Sequence, residues 1–232
     1  MSAHVPRRVV PATAAAVVAI ALAAGAWYAF ESISTQPIRD VTFAGDLARV
    51  SRADLDAFAN SVRGASQAGA SLEAVREAAR RIPWVRDASV RRRFPDAVQV
   101  TIEAYEPLAR WGDAALVSTK GEVFNAEYAG FLPRFSGPDG SAAQVAAMYP
   151  AISRALAPLA SAVTDVNFSS RGAWQVVLES GLTLEAGRAD VQARLQRFAA
   201  AWPQLASAGV ASRHADLRYA NGFALRTARA KP

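Results

Sequence analysis

Apolar and polar residues follow several different periods along this chain, and each period predicts its own element. Residues 9–30 read VVPATAAAVVAIALAAGAWYAF, without a charge. As a helix rising about 1.5 Å per residue, this run extends roughly 33 Å, the thickness of a bilayer's hydrocarbon core. Residues 31–37 read as a linker. Ile38–Phe43 then alternates with the period of two that marks a strand, and Ala44-Gly45-Asp46 turns it. Ser51 is an N-cap for a helix with Leu55, Phe58 and Val62 on one face. After a Gly/Ser/Ala loop at 64–70, Ser71 caps a second helix with Leu72, Val75, Ala79 and Ile82 at helical spacing. Glu73 in its first turn and Arg80 and Arg81 in its last suit the helix dipole, and Pro83 stops it.

The stretch RDASVRRRFPDAVQVTIE follows, residues 86–103. Val90, Arg92 and Phe94 share one face of a predicted strand, and Ser89, Arg91 and Arg93 share the other. Turning over Pro95-Asp96-Ala97 pairs Phe94 with Val98 and Val90 with Ile102, keeping both apolar sets on one face. Arg91 and Arg93 then point outward beside Thr101 and Gln99, while Arg92 snorkels or reaches the domain edge. The order β-α-α-β-β suits a three-stranded sheet with both helices on one face.

From Pro107 the pattern becomes one of short strands: Arg110–Trp111, Ala114–Ser118, Val123–Phe124 and Leu132–Phe135. The turn Ser136-Gly137-Pro138-Asp139-Gly140 precedes an alanine-rich helix near 141–157. Strands at Val163–Phe168, Trp174–Glu179 and Leu182–Ala186 lead to a helix starting at Asp190, with Val191, Leu195, Phe198 and Trp202 on one stripe and Pro203 as its end. Two last strands, His214–Ala220 and Phe223–Ala228, flank the hairpin signal Asn221-Gly222. The expectation is a second, mostly antiparallel β domain with two helices, in a chain of α+β class. The divisions are a tail (1–8), the span (9–30), the linker (31–37), a first domain (38–106), a β domain (107–228) and a C-terminal tail (229–232).

Charge decides which side of a membrane these domains occupy. Arg7 and Arg8 precede the apolar run and Glu31 follows it, so the positive-inside rule keeps the short N-terminus cytoplasmic and exports the rest. Ala24-Gly25-Ala26 resembles a signal-peptidase site, which leaves a cleaved signal as the competing reading. Trp27, Tyr28 and Phe30 continue the run beyond it and favour a retained anchor. The net charge of +6 raises the question of nucleic acid. Export answers it, since Arg7 and Arg8 account for part of the excess, the remaining charges alternate in sign, and no nucleic-acid-binding motif accompanies them. Lys120 and Lys231 are the only lysines among 26 basic residues, an Arg/Ala bias that reads as genome composition.

The chain has no cysteine and only two histidines, His4 and His214, which excludes disulfides, thiolate chemistry and histidine-rich metal sites. His214 and Asp216 point to one strand face, without a G-x-S-x-G or S-x-x-K motif. Asp54 and Asp56 are two apart on a helix and diverge. Glu103 and Glu106 straddle a strand end. The expectation is a protein that is not an enzyme and takes no cofactor or metal.

The short tail and span, IRDVTFAG, IPWVRDASVRRRFPDAVQVTIEAYEPLARW, GPDGS, RGAWQV, LEAGR and HADLRYANGFAL, in that order, resemble the FtsQ/DivIB family of bacterial division proteins. The resemblance covers essentially the whole chain. It implies that the first domain is a polypeptide-transport-associated (POTRA) domain, and that the protein is a single-pass inner-membrane scaffold at the division septum. It implies binding of the FtsB–FtsL pair by strand addition at the C-terminal sheet edge. It assigns that contact to Arg188, Arg218, Tyr219, Asn221 and Gly222, with Tyr219 as aromatic anchor and Arg188 facing an acidic side chain. It matches Val90 and Arg92 to a POTRA recruitment surface. Thr227 stands where some members carry a tryptophan. A POTRA-containing periplasmic chaperone or secretion component is the alternative, and Tyr219 as a core residue with Asn221-Gly222 as a plain hairpin turn is the simpler local reading.

Overall fold

The structure, a computed structural model, describes residues 12–34, 38–63, 71–208 and 212–227. The expected tail 1–8, linker residues 35–37, the loop 64–70 and the C-terminal tail 229–232 lie outside the described residues. Helix α1 (Ala12–Ser34) takes up most of the expected span, whose residues 9–11 also lie outside them, and runs on past residue 30. Its side chains from 16 to 28 are all exposed. Among the described residues no helix is long and apolar enough to cross a membrane. The chain divides into two compact units, one ending at Ala104 and one beginning at Tyr105.

In the first unit the elements are β1 (Asp40–Gly45), α2 (Arg52–Val62), α3 (Leu72–Ala79), β2 (Val85–Arg93) and β3 (Ala97–Ala104). The sheet order is β1-β3-β2, with β1 parallel and β2 antiparallel to β3. The two-helix crossover makes the parallel pairing possible. Val98, Val100 and Ile102 are buried with Ala88 on the face that also takes Leu55, Phe58, Val62, Val75 and Ala79. Ser71 caps α3 by accepting from the Ala74 N–H at 3.3 Å, whereas the Ser51 side chain makes no cap bond. Helix α3 stops at Ala79, four residues before Pro83.

The faces of β2 and β3 are those expected, but the register differs by two residues. Val90 stands opposite Val100 and Arg92 opposite Val98. Phe94 therefore sits in the turn, 70% exposed, rather than on the apolar face. A shift of two preserves the side-chain parity of both strands, so alternation could not distinguish the two registers.

Among the described residues the second unit is one nine-stranded sheet with two α-helices. Its strands are β4 (Pro107–Trp111), β5 (Ala115–Ser118), β6 (Val123–Phe124), β7 (Arg134–Ser136), β8 (Val163–Phe168), β9 (Trp174–Leu178), β10 (Thr183–Gly187), β11 (Ser212–Asp216) and β12 (Ala224–Thr227). They lie in the order β12-β11-β10-β9-β8-β7-β4-β5-β6. Most neighbours are antiparallel. Helix α4 (Ala142–Leu156) crosses over between the parallel β7 and β8, and α5 (Val191–Ser207) between the parallel β10 and β11. Phe135, Val166, Val176, Leu184 and Ala215 form the inner face against Val145, Ile152, Leu195 and Phe198 of the helices.

Two expectations need correction here. Helix α5 runs through Pro203 to Ser207. Leu205, beyond the proline, packs on the core, and that burial offsets the lost N–H bond. The Asn221-Gly222 pair does not make a two-residue hairpin. Strand β11 ends at Asp216, β12 begins at Ala224, and these two residues pair across the connecting loop. The buried Leu217 donates its N–H to the Glu185 carbonyl at 2.9 Å, continuing toward β10 rather than β12. Phe223 meets Phe198 edge-on at 5.1 Å, which draws the returning chain onto α5.

Candidate partner-binding site

The C-terminal ends of β8, β10 and β11 meet at one end of the large sheet. A cavity of about 630 Å3 opens there, lined by Arg171, Arg188, Arg194 and Arg218 together with Ser169 and Gly187. Each arginine comes from a different element: the β8–β9 turn, the residue after β10, the first turns of α5, and the residues after β11. Gly187 has φ +77°, a conformation that favours glycine, and a Cβ there would lie 2.6 Å from Arg194 Nη1 and displace it.

The four guanidinium groups are held differently. Arg194 Nη1 donates to the Ala186 carbonyl at 2.9 Å, which fixes it but leaves its charge uncompensated. Arg218 makes a bidentate pair with Asp216, Nε to Oδ1 at 2.8 Å and Nη2 to Oδ2 at 2.6 Å. The Arg218 side-chain bonds hold the Asp216 carboxyl down to about 2, against the opposing pull of burial, with help from the Arg218 N–H and the charges of Arg218 and His214. The same pairing raises the Arg218 pKa. Arg171 and Arg188 are exposed, and among the described residues neither has a hydrogen bond or ion pair. A positive cavity with two unengaged forks is built to accept carboxylates.

Beside it, the loop from Leu217 to Phe223 presents Tyr219, 57% exposed, so the tyrosine is not a core residue. Arg197 of α5 holds this loop from beneath, with Nη1 donating to the carbonyls of Ala220 at 2.7 Å and Tyr219 at 3.4 Å. Asn221 is exposed and Gly222 half-buried in the same loop. Strand β12 follows directly. Among the described residues it pairs only with β11 and ends the sheet, so its outer N–H and C=O groups face away from the sheet.

The structure thus brings Arg188 and Arg218 into one cavity and puts Tyr219, Asn221 and Gly222 in the adjoining loop. Arg171 and Arg194 were not among the expected residues. A lone arginine in a turn and another at a helix start carry no periodic signal, and only the tertiary fold converges them. Val90 and Arg92 lie in the first unit. Val90 is half-buried and lines a groove of about 400 Å3 with Arg76, Asp87 and Thr101, and Arg92 is exposed. Strand β2 ends its sheet as β12 ends the other. Among the described residues no cluster of His, Cys, Asp or Glu suits a metal ion.

Residues 36–105 match the model of the FtsQ-type POTRA domain, and residues 109–218 match that of the C-terminal region of the cell division protein FtsQ/DivIB. The chain is 44% identical to the cell division protein FtsQ of Burkholderia pseudomallei over 165 residues, 68% of this chain and 66% of that protein. It is 34% identical to FtsQ of Neisseria gonorrhoeae over 212 residues, 90% of this chain and 88% of that one. With FtsQ of Nitrosospira multiformis it shares 37% over 194 residues, 83% and 82% of the two chains.

Proposed function

Because the chain belongs to the FtsQ/DivIB family of bacterial cell-division proteins, we propose that it is a non-enzymatic scaffold of the division machinery. The uncharged run of residues 9–30, read from the sequence, anchors it in the inner membrane with a cytoplasmic tail. The POTRA domain (38–106) and β domain (107–228) occupy the periplasm and gather at the septum. The C-terminal edge binds the periplasmic part of the FtsB–FtsL pair: a partner strand adds to β12, Tyr219 anchors an apolar side chain, and Arg188 takes a carboxylate. Arg218 shapes the pocket through its pair with Asp216, while Asn221 and Gly222 let the partner backbone pass close. Val90 and Arg92 on β2 form a separate recruiting surface for other division proteins.

The observation that carries this reading is that, among the described residues, β12 has an unpaired outer edge next to exposed Tyr219 and to the unpartnered guanidinium groups of Arg171 and Arg188. Main-chain bonds along an edge supply affinity without sequence preference, and the aromatic and cationic groups beside it supply selectivity. Calorimetry of the full chain in nanodiscs against the same organism's FtsB–FtsL pair tests it. Binding that weakens by about 2 kcal/mol or more in Tyr219→Ala supports the reading. Binding indifferent to Tyr219 moves the interface elsewhere, and no binding removes this partner.

A further inference from the structure

The large sheet has a second place where arginines meet an exposed aromatic ring. It lies away from the β12 edge, on the sheet face opposite the helices. Phe135 of β7 points into the helix-covered core, so Arg134, its neighbour in the strand, points to the other face. Arg110 of β4 stands directly opposite Arg134, and Arg134 directly opposite Asp165 of β8. These three side chains floor a cavity of about 310 Å3 whose wall is Gly130, Phe131 and Leu132.

The wall is held in place by its floor. The nine residues 125–133 between β6 and β7 form no helix or strand. Arg110 Nη2 donates to the Tyr128 carbonyl at 2.8 Å and more weakly to the Gly130 carbonyl at 3.5 Å, and the Arg110 N–H bonds the Pro133 carbonyl at 2.8 Å. The chain so fixed leaves Phe131 77% exposed, the most exposed large apolar residue among those described. A phenylalanine ring held in water by an ordered loop loses burial that a flexible loop would recover by collapsing. The floor carries two positive charges against one negative. Arg110's guanidinium bonds carbonyls only, and the Arg134 side chain has no ion pair or hydrogen bond among the described residues.

We propose that this groove is a second docking site of the β domain, taking an extended segment of a partner protein that carries a carboxylate beside an apolar side chain. The carboxylate sits over Arg134 and Arg110, where the excess positive charge lies, and the apolar side chain covers Phe131. Charge complementarity selects an acidic segment over a neutral or basic one. The site shares the chemistry of the arginine-lined cavity and the adjoining Tyr219 loop while using none of their residues. This inference rests on the scaffold reading above.

The test uses the full chain in dividing cells whose own copy has been depleted, with the photo-crosslinker p-benzoyl-phenylalanine replacing Phe131 or, in parallel, Tyr219. The expected product at 131 joins a segment with Asp or Glu within a few residues of the attachment point. Its yield falls on the order of tenfold with Arg134→Glu and less with Arg134→Gln. It is unchanged by Tyr219→Ala. Arg110 is left intact because it also holds the loop, and an unchanged melting temperature of the Arg134 variants excludes misfolding. No product at 131 while position 219 gives one overturns the second site and spares the first. Yield at 131 that ignores Arg134→Glu, a product without a carboxylate nearby, or loss with Tyr219→Ala each overturns it too. Silence at both positions defeats the scaffold reading and this inference with it.

Discussion

The two units differ in how several of their arginines are held. In the POTRA domain Arg76, Arg80 and Arg86 close on nearby acids. Arg76 reaches Asp87 with Nη2 at 2.9 Å and the Ala88 carbonyl with Nε at 2.9 Å, tying α3 to the outer side of β2. Arg80 meets Glu77 at 3.1 Å and Arg86 meets Glu103 at 2.9 Å. In the β domain Arg110, Arg194 and Arg197 instead bond backbone carbonyls, which hold a side chain in place without cancelling its charge. Among the described residues Arg171 and Arg188 are left without partners. Arginines of the first kind are neutralised within the domain, and those of the second keep a surface positive for something acidic. Sequence composition shows only that the chain is rich in arginine, and the structure shows which of them are available.

Charge reversal in the β domain carries the largest expected effect. Arg171→Glu combined with Arg188→Glu is expected to weaken FtsB–FtsL binding by about 3 kcal/mol or more while leaving the melting temperature unchanged, read by calorimetry and thermal denaturation. A next, smaller effect is expected from Arg197→Ala. It frees the loop carrying Tyr219 and slows neither folding nor membrane insertion, but speeds partner dissociation by on the order of tenfold in surface plasmon resonance. In the POTRA domain Arg76→Ala should do the reverse. It lowers the melting temperature slightly, since the Asp87 pair is partly exposed and screened, and leaves FtsB–FtsL binding intact.

The smallest effect concerns pH. Asp216, held at about 2 in the folded chain against an ordinary 3.8, stabilises the ionised form. Its contribution is complete above about pH 4 and is lost as the pH falls toward 2. Denaturation midpoints measured between pH 5 and 2 should therefore fall more steeply for the parent than for Asp216→Asn. Asp87, whose pKa is also lowered, chiefly by its bond from the Ala88 N–H and then by Arg76, makes the same trend for the POTRA unit.

Much of the fold was legible from residue patterns, for reasons visible in particular elements. Strand alternation identified the buried faces of β2 and β3, because burial on one side constrains parity, yet Phe94 was misplaced because parity tolerates a shift of two. Pro203 read as a stop because the local cost is visible in sequence, whereas the burial of Leu205 beyond it is not. Asn221-Gly222 read as a tight turn because the dipeptide prefers one. Leu217 and Phe223 widen the loop through contacts with β10 and α5 that are distant in sequence. Of the residues around the cavity, the family resemblance names Arg188 and Arg218, with Tyr219 in the adjoining loop. Arg171, Arg194 and Arg197 became visible only when their elements were brought together.

The central claim is that a partner strand completes the sheet at β12. Hydrogen exchange of the full chain in nanodiscs, with and without the FtsB–FtsL pair, tests it most directly. Strand addition predicts strong protection at alternate amides within Ala224–Thr227, those facing away from β11, together with slower exchange in the loop around Tyr219. Binding that leaves every amide of β12 exchanging at its free rate would contradict the account.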